Sequence, residues 1–113
     1  MAVTNALAGV AVRRLPQAVA WYRRLLDRKP DTQPMEGLAE WAFPDGGWIQ
    51  LFEDAGRAGR SSVTLMESDL DARLADLDRK GIAVESCSSS EQVRVAIVRD
   101  PDGNLVVFAQ PLG

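Results

Sequence analysis

The sequence predicts an α+β fold in which one module, a strand and a helix followed by further strands, occurs twice. FPDGGWIQLF at Phe43–Phe52 matches DPDGNLVVFA at Asp100–Ala109, and each places a strand after Pro-Asp-Gly. Upstream of these segments, LLDRKP at Leu25–Pro30 matches DLDRKG at Asp76–Gly81, and both have the composition of a helix end. Because the two matches occur in the same order, they indicate an internal repeat.

The first module begins with an apolar strand and continues into an amphipathic helix. LAGVAVRRL at Leu7–Leu15 is apolar and bounded by charge, and Pro16 suits the first turn of a helix. The helix should end over Asp27–Lys29, before Pro30. Apolar residues recur at helical spacing and predict a buried face made of Val19, Tyr22 and Leu26.

A β-hairpin completes the first module, because LAEWAF and WIQLFE flank the turn residues Asp45-Gly46. Centring the turn on these two residues fixes a register. Three facing pairs then share one side of the sheet: Phe43 with Trp48, Trp41 with Gln50, and Ala39 with Phe52.

The second module repeats this plan. SVTLME forms its first strand, and Ser68 or Asp69 caps a helix that ends at Gly81. That helix turns three leucines inward, namely Leu70, Leu74 and Leu77. QVRVAIVR and NLVVFAQ form a second hairpin around Asp102-Gly103, while the serine-rich ESCSSSEQ is predicted as a loop. EDAGRAG is a short flexible link, so the chain is one domain, 1–113, with modules at about 1–54 and 61–113.

Strand parity predicts two unlike faces of the sheet. One is aliphatic and carries the helices: Val10, Val12, Leu38, Ala42, Ile49, Leu51, Val63, Leu65, Val106 and Phe108. The other is rich in aromatic and apolar residues: Trp41, Phe43, Trp48, Gln50, Phe52, Thr64, Met66, Val98 and Val107. Ligand pockets commonly have the second composition, and so do cores and dimer interfaces. Arg94 has the inward parity, where it either pairs with an acidic ligand group or extends to the rim.

Composition excludes several classes of function. The chain has no histidine, which removes imidazole-dependent triads and histidine-ligated metal sites. Cys87 is the single cysteine, so it forms no internal disulfide and has no histidine to activate it. A net charge of −3 disfavours nucleic acid as a partner, and no apolar run approaches a membrane span. With no secretory signal visible, a cytoplasmic location is expected.

AVAWYRRLL in the first helix and the terminal DPDGNLVVF resemble the vicinal oxygen chelate superfamily, which includes glyoxalase I, extradiol dioxygenases and bleomycin-resistance proteins. The resemblance spans nearly the whole chain. It implies two βαβββ modules that form a curled mixed sheet, a cup with the helices on its outer face. In that superfamily the cup encloses the ligand and is often completed across a homodimer.

The same resemblance bears on metal binding. Metal-dependent members place ligands on the first and last strand of each module, and those positions align with Leu7, Gln50, Ser62 and Val107. None of the four is a histidine or a carboxylate, a set too weak for a tightly held catalytic ion. The resemblance therefore implies a metal-free member with no cofactor, in which glyoxalase or dioxygenase activity is not expected.

The resulting prediction is a homodimeric small-molecule binding protein, like the bleomycin-resistance proteins. Its aromatic cup, with Ser62 included, holds a planar or hydrophobic organic ligand. An enzyme of the superfamily, a lyase, isomerase or dioxygenase, is the alternative. A metal-free enzyme would need a carboxylate such as Glu40 or Glu53, which strand parity places on the helix side or its edge. A third possibility is an interaction module whose aromatic face seals a dimer.

Overall fold

A computed structural model describes residues 2–113 and contains two helices and two mixed β-sheets. The elements are β1 (Leu7–Val12), α1 (Leu15–Leu26), β2 (Leu38–Ala42), β3 (Trp48–Glu53), β4 (Ser62–Met66), α2 (Leu70–Arg79), β5 (Ser86–Ser89), β6 (Val93–Arg99) and β7 (Leu105–Pro111). The predicted α+β class is confirmed.

The two sheets repeat one topology. Their strand orders are β1-β3-β2 and β4-β7-β6-β5. In each sheet the first strand of the module is parallel to its neighbour, β1 to β3 and β4 to β7. The prediction of a loop for the serine-rich segment is wrong in part, because Ser86–Ser89 forms the edge strand β5. Serine has little strand preference, so pairing with β6 determines this strand. In the first sheet the equivalent strand is reduced to one bridge between Thr32 and Glu40.

The predicted helix boundaries are confirmed by their caps. Proline lies in the first turn of α1, and Asp27 ends the helix with a left-handed φ of 60°. At the start of α2, the side chain of Asp69 accepts a hydrogen bond from the backbone N–H of Ala72 at 3.1 Å. Gly81 follows with a φ of 68°, a conformation that glycine adopts at little cost.

Both hairpins are closed by the same five-residue loop. The N–H of Gly46 donates to the carbonyl of Phe43, and the N–H of Phe43 donates to the carbonyl of Gly47. The residues 100–104 repeat both bonds. The loop pairs Trp41 with Ile49, so the predicted register is wrong by one residue. A shift of one residue moves every side chain of the shifted strand to the other face.

One face of both sheets packs against the two helices and forms the core. Its buried side chains include Val10, Val12, Leu51, Val63, Val106 and Phe108. The helices also contact each other, because Arg73 donates to the carbonyl of Leu25 and Lys80 forms an ion pair with Asp27 at 2.9 Å. The other face, which carries no helix, is called the open face below.

The segment between the modules, predicted as a flexible link, is a hydrogen-bonded turn that packs on the second hairpin. The N–H of Ala58 donates to the carbonyl of Asp54 at 3.0 Å. Gly59 has a φ of 89°, and a Cβ there would lie 2.4 Å from the carbonyl oxygen of Asp102. Only glycine fits this approach.

Within residues 2–113, neither helix is long and apolar enough to cross a lipid bilayer.

Candidate functional site

Three rows of side chains cross the open face of the first sheet. The middle row is polar and contains Gly9, Gln50 and Glu40, which are paired across the three strands. The rows on either side are apolar and consist of Leu7, Trp48 and Ala42, and of Ala11, Phe52 and Leu38. Trp48 and Phe52 therefore lie roughly 13 Å apart along β3, with Gln50 between them.

The ring of Phe52 lies across β1. Its Cε1 atom is 3.3 Å from the point where a Cβ on Gly9 would stand, so a side chain there would press on the ring. The guanidinium of Arg57 covers the ring at 5.0 Å from its centroid and is held by Asp54 at 2.9 Å. Phe52 is thus fixed as one wall of the face.

The second sheet continues the open face with apolar and hydroxyl side chains. Register places these residues there: Ser62, Thr64, Met66, Ser86, Ser88, Val95, Ile97, Leu105, Val107 and Ala109. Met66 is 68% exposed, and Leu7 on the first sheet is 47% exposed.

Seven of the ten predicted site residues lie on the open face: Trp48, Gln50, Phe52, Ser62, Thr64, Met66 and Val107. Trp41, Phe43 and Val98 do not, and their predicted placement is wrong. Trp41 and Val98 are fully buried under the helices, and Phe43 packs against the same core beneath Arg28. Trp41 and Phe43 lie in the first hairpin, whose register differs by one residue from the predicted one, and Val98 is paired with Val106 of the core.

Three other residues also lie on the face opposite to the predicted one. Leu38 and Ala42, predicted on the aliphatic face, lie on the open face. Arg94, predicted to point inward, lies on the helix side and forms an ion pair with Asp71 of α2 at 2.9 Å. This pairing keeps the pKa of the Asp71 carboxyl below its usual range.

The two carboxylates considered for catalysis lie on opposite faces. Glu53 is on the helix side, as predicted, where it accepts a hydrogen bond from the N–H of Leu15 at 2.8 Å. The prediction for Glu40 is wrong, because its carboxylate lies on the open face. There it accepts a hydrogen bond from Nε2 of Gln50 at 2.6 Å.

The terminal motif serves a different purpose from the open face. Asp100 is buried, and its carboxylate accepts four hydrogen bonds, from the Tyr22 hydroxyl, the Asn104 amide, and the backbone N–H groups of Asp102 and Asn104. Asn104 also donates to the carbonyl of Ala11 and accepts from the N–H of Ser61. This cluster joins α1, β1 and the second hairpin.

Tyr22 is the donor in its bond with Asp100. Burial, followed by the charge of Asp100, raises the pKa of the hydroxyl far above its usual value, so the proton stays on Tyr22. Sequence reasoning did not find this cluster. The available signal was the difference between the two turn motifs, which begin with Asp100 in one hairpin and Phe43 in the other.

The four positions that align with metal ligands do not fit a divalent ion. Leu7 and Val107 offer no donor atom, and Gln50 offers only a neutral amide oxygen. Ser62 adds one hydroxyl, which is a weak ligand on its own. Within residues 2–113, no three cysteine or carboxylate side chains come together as a metal site would require.

Comparison with known proteins identifies the family. Neither a protein-family model nor a curated protein matches the sequence. Among solved structures, a glyoxalase/bleomycin resistance protein from Catenulispora acidiphila is 34% identical, with 96% of this chain and 98% of that chain covered and a TM-score of 0.86. The antibiotic-binding protein TnmS3 from a Streptomyces species is 25% identical over 98% of both chains, with a TM-score of 0.84. A glyoxalase/bleomycin resistance protein from the same source is also 25% identical, with 95% and 100% covered and a TM-score of 0.80.

These similarities confirm the predicted resemblance, since the 34% identical structure aligns along nearly the whole of both chains. The repeated module, the terminal turn and the α+β architecture agree with it. The chain belongs to the glyoxalase/bleomycin-resistance family of the vicinal oxygen chelate superfamily.

Proposed function

We propose that this protein binds a planar or hydrophobic organic molecule on its open face, without a metal ion. The observation that carries the proposal is the arrangement along β3, where the half-buried aromatic side chains of Trp48 and Phe52 lie on either side of Gln50. Apolar and aromatic side chains with a few polar groups among them are the usual lining of ligand sites. TnmS3, which shares this fold at 25% identity, binds an antibiotic, which supports a small organic ligand here.

We also propose that a second copy of the chain completes the site. The molecule is flat, with extents of 41 × 40 × 24 Å, because helices cover one face of the sheets only. A facing copy would cover exposed apolar residues such as Leu7 and Met66 and turn an open face into a cup. Light scattering at micromolar concentration should give twice the chain mass of 12.3 kDa. A monomer under those conditions would contradict the dimer.

Binding should depend on Trp48. Replacing Trp48 with alanine is expected to weaken binding by about 2 kcal/mol, as for an aromatic residue at the centre of a contact. The measurement is calorimetric titration of the ligand found by thermal-shift screening of aromatic antibiotics, bleomycin included. Trp21 on α1 provides the matched control, because Trp21→Phe should leave affinity unchanged while removing another indole.

Tryptophan fluorescence distinguishes ligand binding at the open face from binding elsewhere on the molecule. Ligand-induced quenching should disappear in Trp48→Phe and persist in Trp21→Phe. If no compound in the panel shifts the melting midpoint, or if quenching survives the loss of Trp48, the open face is not a ligand site. The sealed-interface interpretation would then be favoured.

A second candidate function is a metal-free enzyme that uses Glu40 as a base. The observation in its favour is the position of this carboxylate in the middle row of the open face, between the two apolar rows that contain Trp48 and Phe52. A positioned carboxylate can remove a proton from a bound substrate. Analysis of the bound compound after prolonged incubation discriminates the two functions, because a binding protein returns it unchanged and an enzyme converts it.

A further inference from the structure

The polar pair on the open face has a fixed hydrogen-bonding direction. A carboxylate accepts and does not donate, so Gln50 must turn its Nε2 towards Oε2 of Glu40, at 2.6 Å. The amide oxygen of Gln50 and the second carboxylate oxygen of Glu40 remain. Both remaining atoms are acceptors, so the centre of the open face offers acceptors to a ligand.

Glu40 also differs from the other half-buried acids in its charge environment. Glu67 and Asp76 each form ion pairs with arginine or lysine side chains. Glu40 forms none with any lysine or arginine of residues 2–113. Arg57, the cation over Phe52, is bound to Asp54 instead. The carboxylate on the open face is therefore a charge that lacks a cation.

We propose that Glu40 and Gln50 select a planar aromatic ligand that carries a protonated nitrogen, such as an amidinium or an ammonium group. This inference rests on the proposed function and names its ligand class. A cation bound beside Glu40 lies next to the row that holds Trp48, so the indole ring can attract it as well as the carboxylate. An amidinium offers two N–H groups, one for the free oxygen of Glu40 and one for the oxygen of Gln50. The predicted planar ligand thus gains a specific partner residue.

The test uses three probes of equal shape and different charge: naphthamidine, naphthamide and naphthoate. Each is titrated calorimetrically into the full-length protein. Naphthamidine should bind at least about tenfold more tightly than naphthoate, as expected for a charge-assisted hydrogen bond. In Glu40→Gln that advantage should fall by about tenfold, while the neutral naphthamide keeps its affinity within about threefold. The substitution preserves shape and leaves a partner for Gln50.

Glu91→Gln is the matched control. Glu91 is exposed in the turn between β5 and β6. Its substitution changes the net charge by the same amount as Glu40→Gln, but away from the open face. An equal loss of naphthamidine affinity in both variants would assign the effect to overall charge and overturn the role of Glu40. Equal binding of the three probes to the wild-type protein would overturn the ligand class while leaving the proposed function in place. If none of the three binds although another panel compound binds at Trp48, the inference fails alone; if nothing binds, both fail.

Discussion

Replacing Trp41 with alanine is expected to lower the free energy of unfolding by about 3–5 kcal/mol, the usual cost of deleting a large buried aromatic side chain. Trp41 is fully buried beneath the helices, its ring lies 6.2 Å from that of Tyr22, and its Nε1 donates to the carbonyl of Arg28 at 3.0 Å. The substitution removes packing and leaves the partly buried carbonyl of Arg28 without its donor. Trp48→Ala, on the open face, should cost about 1.5 kcal/mol or less.

The measurement is urea unfolding followed by circular dichroism, because both substitutions alter tryptophan fluorescence. All variants must be compared at one protomer concentration, since a dimer couples stability to concentration. The contrast tests the register directly. If Trp48→Ala destabilised the chain as much as Trp41→Ala, Trp48 would belong to the core, and the open face would lose its principal ligand-binding residue.

The sequence predicted the architecture because its signals are local and occur twice. Proline in the first turn of α1, the Asp69 cap and Gly81 each specify a helix end through the backbone nearby. The repeated Pro-Asp-Gly turns identified both hairpins before any long-range contact was considered. The same signals placed the residues of β3, β4 and β7 on the correct faces.

Register could not be obtained in this way. A turn centred on Asp45-Gly46 pairs Phe43 with Trp48. The observed loop includes Gly47 and pairs Phe43 with Gly47, which is a difference of a single residue. Glycine suits either geometry, so composition does not decide between them. The difference exchanged Trp41 for Glu40 on the open face. The same difference removed Phe43 as well, so the candidate site lost two aromatic residues and gained a carboxylate.

The buried cluster was hidden for a different reason. Turn preference alone accounts for Pro-Asp-Gly, so nothing local marks Asp100 as more than a turn residue. Its partners are distant in sequence, since Tyr22 precedes it by 78 residues, and Ala11 precedes Asn104 by 93 residues. Contacts of this range become visible only when the two modules are placed side by side.

Asp100→Asn, a change that preserves shape, is expected to lower the free energy of unfolding by about 3 kcal/mol. Each carboxylate oxygen of Asp100 accepts two hydrogen bonds, Oδ1 from two backbone N–H groups and Oδ2 from Tyr22 and Asn104. An asparagine must direct its NH₂ group at one of these pairs, so donors would face donors in a buried site. Backbone N–H groups cannot rotate away, and Tyr22 or Asn104 would have to abandon its present bond.

Asp45→Asn is the matched control, because Asp45 occupies the first hairpin loop, is exposed, and should change stability by about 0.5 kcal/mol or less. Tyr22→Phe removes one of the four donors and should cost about 1–2 kcal/mol, less than Asp100→Asn. Urea unfolding of the three variants therefore ranks the contributions of the cluster. If Asp100→Asn matched Asp45→Asn, the terminal motif would be a turn and nothing more. A large loss in Asp100→Asn without one in Asp45→Asn would show that the motif joins the two modules, a role that is independent of any metal ligand on the strand that follows.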